Sequence, residues 1–166
     1  MANIFVGKSK IHGKAVFASR NLKKGDFVLA INDSHVVLDE SKLTPKQHAF
    51  DLDYLEDMIV IMQAPEKYIN HSCDPNVYVK TKHGVRNVYA IRNISKGDEI
   101  TYDYSINGHN EGTFKCHCGS KNCRKIYQGN FFKLPENLQQ KYLPFLDTWF
   151  KKKFKKEISK LKRRRK

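Results

Sequence analysis

The most informative stretch of the sequence is residues 68–76, which read Tyr-Ile-Asn-His-Ser-Cys-Asp-Pro-Asn. Asn, Ser, Asp and Pro are concentrated here, and these residues favour turns because their side chains bond to nearby backbone or fix φ. Taken alone, Asn70 and His71 would be interpreted as an Asx-turn and a histidine with satisfied hydrogen bonds. The segments around the stretch decide whether it has a chemical role as well.

Short strand candidates, separated by turns, surround this stretch. They are residues 15–18, 27–31, 58–62, 77–82, 85–92 and 99–104, and a polar segment, 39–57, is expected to form a loop or a short helix. Many short strands exclude a doubly wound parallel sheet, so the sequence predicts a mainly β fold. From Pro135 onwards apolar residues recur every three or four positions, which predicts a helical C-terminal segment interrupted at Pro144.

The positive charge is concentrated at the C-terminal end. The formal net charge is +14, and residues 151–166 hold eleven Lys or Arg and one acid, a net +10. Such a run is typical of a nucleic-acid arm, of a localisation signal, or of a tail that only aids solubility. We favour loose, sequence-independent binding of nucleic acid, because the sequence contains no base-reading motif.

The apolar runs of the chain are short. No window approaches the roughly 18 consecutive apolar residues that a membrane span needs, and the first residues lack a run of signal-peptide length. We therefore expect a protein without membrane contact that stays inside a cell. Its place would be the nucleus of a eukaryote or the cytoplasm or nucleoid of a bacterium, with secretion into a host as a further alternative.

Three segments, in this order, resemble the SET-domain lysine methyltransferases. They are residues 11–22 with Lys24-Gly25-Asp26 after them, residues 68–76, and residues 97–104, which read Gly-Asp-Glu-Ile-Thr-Tyr-Asp-Tyr. The central segment is the specific one, since glycine turns after strands are common. The resemblance covers residues 4 to about 128 and implies a SET domain of several small sheets, with the 70s segment threaded through a neighbouring loop as a pseudoknot.

The resemblance also divides the chain, into a SET domain (1–112), a post-SET zinc segment (113–129) and a strongly basic helical extension (130–166). Cys116, Cys118 and Cys123 form a C-x-C-x4-C pattern similar to the family's post-SET cysteines. Tetrahedral zinc takes four ligands, and the remaining cysteine, Cys73, would supply the fourth. The alternative is four unrelated reduced thiols.

For catalysis, the resemblance points to Tyr104. Its hydroxyl would lie beside the transferring methyl group, orient the lysine nitrogen and stabilise developing charge. Tyr102, two residues earlier on the predicted strand, would face the same side, where a hydroxyl leaves less space and favours adding one or two methyl groups over three. Phe114 would help to close the lysine channel. The alternative for each of these aromatic residues is simple packing in the core.

The methyl donor implied by the resemblance is S-adenosylmethionine. Asn70 and His71 match the pair that holds its adenine end. The other expected donor contacts are His12, Gly13, Lys14 and Ala15 at the glycine turn, Tyr104, and the backbone of His117. The family's usual Gly-x-Gly reads Gly13-Lys14-Ala15 here, and alanine restricts the backbone more than glycine does.

Three functions stay open at this point. The first, which we favour, is an S-adenosylmethionine-dependent protein-lysine N-methyltransferase that acts on a basic protein such as a histone, a histone-like protein or a ribosomal protein. The second is an inactive SET-fold module that contains zinc and binds nucleic acid through residues 151–166. The third is an unrelated zinc-knuckle protein, which leaves residues 68–76 without a role. The presence of Asn70, His71, Tyr102 and Tyr104 favours the enzyme.

Overall fold

The computed structural model describes residues 3–56, 58–109 and 112–163. In these ranges the strands are β1 (Ile4–Lys8), β2 (Lys14–Ala18), β3 (Phe27–Ala30), β4 (Leu52–Leu55), β5 (Met58–Ile61), β6 (Asn70–His71), β7 (Val77–Lys82), β8 (Val85–Ala90), β9 (Thr101–Tyr102), β10 (Thr113–Lys115) and β11 (Ile126–Gln128). The α-helices are α1 (Pro45–Phe50), α2 (Glu136–Tyr142), α3 (Thr148–Lys153) and α4 (Lys155–Arg163). Short 3₁₀ helices cover Glu40–Lys42, Glu66–Tyr68, Phe131–Lys133 and Leu143–Phe145.

The strands form several small sheets, as predicted. β3, β8 and β7 make an antiparallel sheet of three strands in that order. β1–β2, β4–β5 and β10–β11 are two-stranded antiparallel ribbons. The β7–β8 connection shows why the sequence folds locally: His83 and Gly84 both have positive φ, at 50° and 77°, which is the backbone that a two-residue hairpin turn requires.

The 70s segment lies between distant parts of the chain. β6 pairs in parallel with β9, with Asn70 opposite Thr101 and His71 opposite Tyr102. After β6 the chain stays close to β9, since the Ser72 amide donates to the Tyr102 carbonyl at 3.0 Å. This pairing joins the second and third segments of the sequence resemblance directly. The threading of the segment through a loop stays a prediction.

Two apolar clusters stabilise the fold. The first fills the space between the small sheets and includes Val16, Val77, Val88 and Ile100. The second lies under the C-terminal helices and is built around Phe131, Tyr142, Leu146, Phe150, Ile158 and Leu161. Tyr102 is partly buried and packs against both clusters. The helical segment is therefore packed onto the sheets next to a residue that the sequence assigns to the site.

The C-terminal segment is helical over its described part, and the helix is interrupted at Pro144 by a 3₁₀ turn, as predicted. Asp147 caps α3 by accepting a hydrogen bond from the Thr148 amide. In α4 the buried residues Ile158 and Leu161 are three positions apart, so they lie on one face of the helix. The last three residues, 164–166, lie outside the described residues. Over the described chain, no helix combines the length and apolar character that crossing a bilayer requires.

Three local predictions need correction. The strand predicted for 99–104 is confirmed only at Thr101–Tyr102, because the chain turns from Tyr104 to 107. The segment 39–57 does contain a short helix, α1, but it also contains strand β4, which its polar composition concealed. The strand at 58–62 exists as β5, but it is not fully buried, since Met58 is 45% exposed.

Candidate functional site

Asn70 holds the glycine turn against the rest of the molecule. Its side-chain Nδ2 donates to the carbonyls of His12 and Lys14, both at 3.1 Å, and to Glu99 Oε1 at 2.9 Å. Gly13, between those two carbonyls, has φ +51°, a left-handed conformation that glycine adopts without strain. Hence the sequence-predicted residues of the turn and Asn70 do lie together.

The turn itself faces open space. A Cβ atom added at Gly13 would meet nothing within 4 Å, and the side chains of His12 and Lys14 are exposed. Lys14 Nζ lies 5.4 Å from the centre of the Tyr68 ring. Ala15 differs from these neighbours because it lies in β2 and has no exposed surface.

His71 is a buried, neutral histidine. Its Nδ1 accepts a hydrogen bond from the Tyr104 amide at 3.3 Å, which leaves the ring proton on Nε2, 3.5 Å from Cys73 Sγ. Burial lowers the pKa of His71 to about 4, although the nearby Asp103 carboxylate opposes this shift. Both ring nitrogens therefore face protein atoms, and any contact of this residue with a ligand involves its backbone or the ring surface.

Tyr104 adjoins His71 in a turn after β9. Its hydroxyl donates to the Ile69 carbonyl at 2.7 Å, and its ring centre lies 5.3 Å from that of His71. Burial raises the pKa of Tyr104 well above its ordinary value, and the negative charges of Asp53 and Glu99 add to the shift. The side chain is therefore a neutral phenol whose proton points at a backbone carbonyl.

Tyr102 lies close to Tyr104, although the two do not share a strand. Their ring centres are 6.3 Å apart. The Tyr102 hydroxyl donates to the Ile106 carbonyl and accepts a hydrogen bond from Asn107 Nδ2 at 3.2 Å. The turn after β9, rather than the predicted continuous strand, therefore brings the two tyrosines together.

A cavity of ≈ 450 Å³ opens beside the two tyrosines. This volume is within the range of about 300–1,000 Å³ that is usual for small-molecule sites. Its walls come from several parts of the chain: Ile31, Met62, Glu66, Lys67 and Ile69; the sheet residues Val77, Val79, Arg86 and Val88; the α1–β4 residues His48, Ala49, Leu52, Asp53 and Tyr54; the residues Tyr102, Tyr104, Ile106, Asn107 and Gly108; the residues Gly112, Thr113, Phe114 and Tyr127; and the C-terminal residues Asp147 and Trp149. The walls combine apolar and aromatic side chains with charged ones, so a long, thin side chain with an apolar stem and a polar end would suit this cavity.

The residues expected to hold the methyl donor do not line this cavity. His12, Gly13, Lys14, Ala15, Asn70, His71 and His117 are all outside its lining. Of the residues predicted to contact the donor, Tyr104 is the one that also lines the cavity. Its backbone amide donates a hydrogen bond to His71. The phenol of Tyr104 thus lies where the cavity and the residues around Asn70 meet.

An aromatic cluster closes one side of the region where the cavity meets the residues around Asn70. Phe114 stacks on Tyr127 with ring centres 4.4 Å apart, and both rings meet the edge or face of His71, at 5.9 and 5.2 Å. Phe114 is 45% exposed, so one of its surfaces is open to solvent next to His71. Phe114 was predicted from its place before the cysteines, but no motif points to Tyr127.

The four cysteines converge, as predicted. Their sulfur atoms all lie within 4.8 Å of one another, and Cys73 Sγ is 3.8 Å from Cys116 Sγ. Four thiolates around a zinc ion, with Zn–S bonds of about 2.3 Å, place their sulfurs about 3.8 Å apart. The convergence of the four sulfurs is therefore compatible with one tetrahedral ion.

Backbone amides surround these sulfurs. The Arg124 amide points at Cys73 Sγ from 3.4 Å, and the Cys73 amide points at Cys118 Sγ from 3.5 Å. Such N–H···S contacts favour thiolates. Burial nonetheless raises the pKa of the Cys73 thiol well above its usual value, so binding of a cation has to displace the proton.

His117 lies between two cysteines of the cluster, but its side chain is exposed and is not among the groups that converge. Ile11, at the start of the glycine turn, packs against the cysteine cluster. The segment that carries His117 is thus next to the turn that carries His12 and Gly13, and this position is compatible with the predicted backbone contact.

A buried ion pair connects the cysteine segment to the tyrosines. Asp103 is 0% exposed and accepts two hydrogen bonds from Arg124, at 2.7 and 2.9 Å. The Arg124 side chain also donates to Ser105 Oγ at 3.2 Å. Sequence reasoning missed this pair; the only available signals were an acid between two tyrosines and an arginine directly after Cys123.

Solved structures have the same fold. The chain is similar to a Plasmodium falciparum protein solved as a candidate histone methyltransferase, with 28% identity and a TM-score of 0.52, over 63% of this chain and 94% of that one. It shares its fold with KRYPTONITE, solved in complex with mCHG DNA and SAH, with 24% identity and a TM-score of 0.57, over 76% of this chain and 29% of that one.

Curated proteins give the same result at the level of sequence. The chain is 31% identical over 139 residues to the histone-lysine N-methyltransferase trr of Drosophila melanogaster, an alignment that covers 74% of this chain and 6% of that protein. Across the relatives compared, the chain spans between 2% and 17% of their length. The family model of the SET domain matches residues 13–105, a range that contains Gly13 of the glycine turn, residues 68–76 and both tyrosines. Because this match covers more than half of the chain, the protein belongs to the SET-domain family.

Proposed function

We propose that this chain is a protein-lysine N-methyltransferase that uses S-adenosylmethionine. The observation that carries the proposal is the position of Tyr104, which lines the cavity and is hydrogen-bonded through its backbone to His71. A lysine side chain entering the cavity would bring its nitrogen to the phenol. A methyl donor held near Asn70 and His71, which lie outside the cavity lining, would bring its methyl group to the same phenol.

The donor fits the exposed groups around the glycine turn. Open space lies above Gly13, Lys14 offers an exposed ammonium for a carboxylate, and Phe114 offers an exposed aromatic surface for an adenine ring. The side chains of Asn70 and His71 are bonded to protein, so they would shape the site and present backbone groups. When bound, S-adenosylmethionine supplies an electrophilic methyl carbon on a sulfonium.

The chain's own residues would then act on the lysine. Its nitrogen must be neutral to attack. Burial lowers the pKa of an amine because the charged form loses its hydration, whereas the carboxylates of the lining, Asp53, Glu66 and Asp147, oppose this shift. Tyr104 donates its own proton to the Ile69 carbonyl, so its oxygen faces the amine as a hydrogen-bond acceptor. Holding the nitrogen in line in this way is the kind of positioning that can lower a barrier by about 7–11 kcal/mol in well-aligned systems.

Tyr102 would limit the number of methyl groups. A phenol has a larger volume than a phenyl ring and adds a polar atom to the cavity wall. A neutral nitrogen that already carries two methyl groups has no N–H left to bond an oxygen here, so it would be held less well for a third transfer. We therefore assign the addition of one or two methyl groups to this enzyme.

Zinc would hold the wall of the site together. Cys73 follows the 70–71 strand, and Cys116, Cys118 and Cys123 belong to the segment that carries Phe114. One ion bound by all four would fix that segment beside His71 and so couple the folding of the wall to activity. We propose a structural role for it, because all four positions of a tetrahedral ion would be occupied by sulfur.

The substrate proposed is a basic protein, such as a histone, a histone-like protein or a ribosomal protein. Relatives that share this domain bear the name histone-lysine N-methyltransferase. A substrate of this kind would place the enzyme inside a cell, at chromatin, nucleoid or ribosomes.

A second function, binding of nucleic acid, is favoured by the C-terminal helix. Ile158 and Leu161 anchor α4 to the core, while Lys155, Lys156 and Lys160 are exposed. A fixed helix with a cationic outer face can bind phosphates without reading bases, and its affinity would fall steeply with salt. Residues 164–166, which complete the basic run, lie outside the described residues.

The test is transfer of a labelled methyl group. Purified protein is incubated with labelled S-adenosylmethionine and a panel of histone, histone-like and ribosomal proteins, and the labelled residue is identified by mass spectrometry. We expect label on lysine of at least one basic protein. Absence of label, together with no binding of the donor by calorimetry, would instead support the inactive nucleic-acid-binding module.

A further inference from the structure

We propose that Asn107 is a positioning residue that, through Tyr102, sets how many methyl groups the substrate lysine accepts. The inference rests on the proposed function, and it deepens that function by assigning product specificity to a residue beyond the tyrosines. Asn107 lies past the end of the SET match at residue 105. It lines the cavity and bonds the hydroxyl of Tyr102.

The orientation of the Asn107 amide is fixed from both ends. Its Oδ1 accepts the backbone N–H of Asp147 at 2.7 Å, so this end of the amide must be the oxygen. The other end is therefore the NH₂ group, which donates to the Tyr102 hydroxyl at 3.2 Å. The backbone of Asn107 has φ +69°, a conformation that asparagine tolerates better than most residues.

This donor determines how the Tyr102 hydroxyl can act. The hydroxyl has one proton, and that proton goes to the Ile106 carbonyl. Asn107 Nδ2 approaches the same oxygen as a donor. Towards a lysine nitrogen, Tyr102 is therefore an acceptor held in one place. An N–H of the amine satisfies such an acceptor, whereas a methyl group in that position does not, so each additional methyl group is disfavoured.

The support for Asn107 comes from the C-terminal segment. Asp147 is fully buried, and its carboxylate accepts hydrogen bonds from the Thr81 amide, at 3.0 and 3.1 Å, and from the Thr81 hydroxyl, at 2.7 Å. It also caps α3 through the Thr148 amide. The start of α3 is therefore fastened to β7, and the amide of its capping residue holds Asn107 against Tyr102. In this way the C-terminal helices contribute to the geometry of the cavity.

Two variants separate the two bonds of Asn107. Asn107→Asp keeps an oxygen for the Asp147 amide and tolerates the same backbone conformation, but it replaces the donor to Tyr102 by a carboxylate oxygen and adds a negative charge near the buried Asp147. Asn107→Gly removes both bonds without straining the backbone at positive φ. Both variants are expected to raise the ratio of higher to lower methylated lysine by about fivefold, the weight of one ordinary hydrogen bond. Because Asn107 lines the cavity, both variants are also expected to slow the first methyl transfer, and the ratio is the quantity that reports product specificity.

The readout is the mass spectrum of the methylated substrate at matched extents of reaction. A residue that only stabilises the fold would lower all rates together and leave the ratio unchanged. An unchanged ratio in both active variants would overturn the inference while leaving the methyltransferase proposal intact. A wild-type protein that transfers no methyl group would overturn the proposed function and, with it, the role in product specificity.

A double-mutant cycle in thermal stability tests the hydrogen bond between Asn107 and Tyr102 independently of activity. The melting temperature is measured for Asn107→Gly, Tyr102→Phe and the double variant, since Asn107→Gly removes the bond to Tyr102 without adding a charge. If the hydrogen bond positions Tyr102, the double variant should be destabilised by less than the sum of the two single effects, because both single substitutions remove the same bond. Strictly additive effects would show that the two residues do not act on each other and would overturn the inference.

Discussion

Arg124 forms a two-point ion pair with Asp103, and this contact joins the cysteine segment to the residue between the two site tyrosines. Arg124 directly follows Cys123, and Asp103 lies between Tyr102 and Tyr104. Asp103 has no exposed surface, so Arg124 is what compensates its charge. Cation binding at the cysteines and the placement of the tyrosines are therefore expected to depend on each other.

Replacing Arg124 by leucine should destabilise the protein strongly. The change leaves the Asp103 carboxylate buried without its partner, and breaking a buried pair from one side costs about 3–5 kcal/mol. The free energy of unfolding, measured in urea at a fixed zinc concentration, reports the effect. Arg92→Leu is the matched control. The Arg92 side chain is 48% exposed in its pair with Asp74, and its other hydrogen bonds go to the carbonyls of Asp74 and Pro75, so its loss leaves no buried charge without a partner and should cost less. Equal destabilisation of the two variants would contradict the assigned role.

Replacing Cys73 by serine should reduce the zinc content. A tetrahedral site with three of its four thiolates binds the ion more weakly. After dialysis against a mild chelator, we expect the wild-type protein to retain close to one zinc per chain and the Cys73→Ser variant to retain much less. Cys116→Ser should behave in the same way, because both sulfurs belong to the same cluster. A full and tightly held equivalent of zinc in Cys73→Ser would show that Cys73 is not a ligand.

Tyr104 should make stability depend on alkaline pH. Burial raises its pKa in the folded protein, whereas an unfolded tyrosine ionises at about pH 10. Above this pH the unfolded chain binds fewer protons than the folded one, so the free energy of unfolding falls as pH rises. The stabilising contribution is complete below about pH 10 and disappears as pH rises towards the folded pKa.

Urea unfolding between about pH 9 and 11 measures this dependence. The wild-type protein should lose stability more steeply across this range than Tyr104→Phe, which has no phenol to ionise. Tyr142, whose pKa burial also raises, contributes equally to both proteins and cancels from the comparison. Parallel pH curves would mean that the Tyr104 phenol is not buried as described.

The exposed lysines of α4 should govern nucleic-acid binding. Replacing Lys155, Lys156 and Lys160 by glutamine is expected to weaken binding of a DNA duplex of arbitrary sequence. The slope of the logarithm of the binding constant against the logarithm of the salt concentration should become shallower by about 0.9 for each phosphate that is no longer neutralised. Fluorescence anisotropy over a salt series measures both quantities. The control replaces Lys23, Lys24 and Lys96, which are exposed elsewhere on the molecule. If the control weakens binding as much as the α4 variant, the helix is not the binding surface.

Local motifs in the sequence predict the parts of the site that they themselves contain. Asn70, His71 and the glycine turn are predicted to lie near one another, and Asn70 does bond the turn directly. The spacing of the cysteines likewise predicts their convergence. In each case a short motif fixes both the residue types and the turn that presents them. The fold class follows from the many short strands between turns.

Other parts of the site depend on contacts between distant residues without a motif. Asn107 meets Asp147 forty positions later, and Asp103 meets Arg124, which lies in the connection between β10 and β11. Neither contact leaves a periodic pattern in the sequence, because each is created by the packing of one segment on another. The strand predicted through Tyr104 is wrong for a related reason: the alternation continues in the sequence, but tertiary contacts turn the chain.

Single-turnover methyl transfer by Tyr104→Phe is the decisive experiment for the site. The variant is compared with the wild-type protein and with Tyr78→Phe, which removes a hydroxyl from a tyrosine outside the cavity lining. Calorimetry measures how tightly each of the three binds S-adenosylmethionine, and the rates are compared at a saturating concentration of this donor. We predict that Tyr104→Phe transfers the methyl group at least about 100-fold more slowly, the usual cost of removing an oriented polar group at the reacting atoms, while Tyr78→Phe keeps the wild-type rate. Equal rates in Tyr104→Phe and the wild-type protein would contradict the assignment of this phenol to the positioning of the reacting amine.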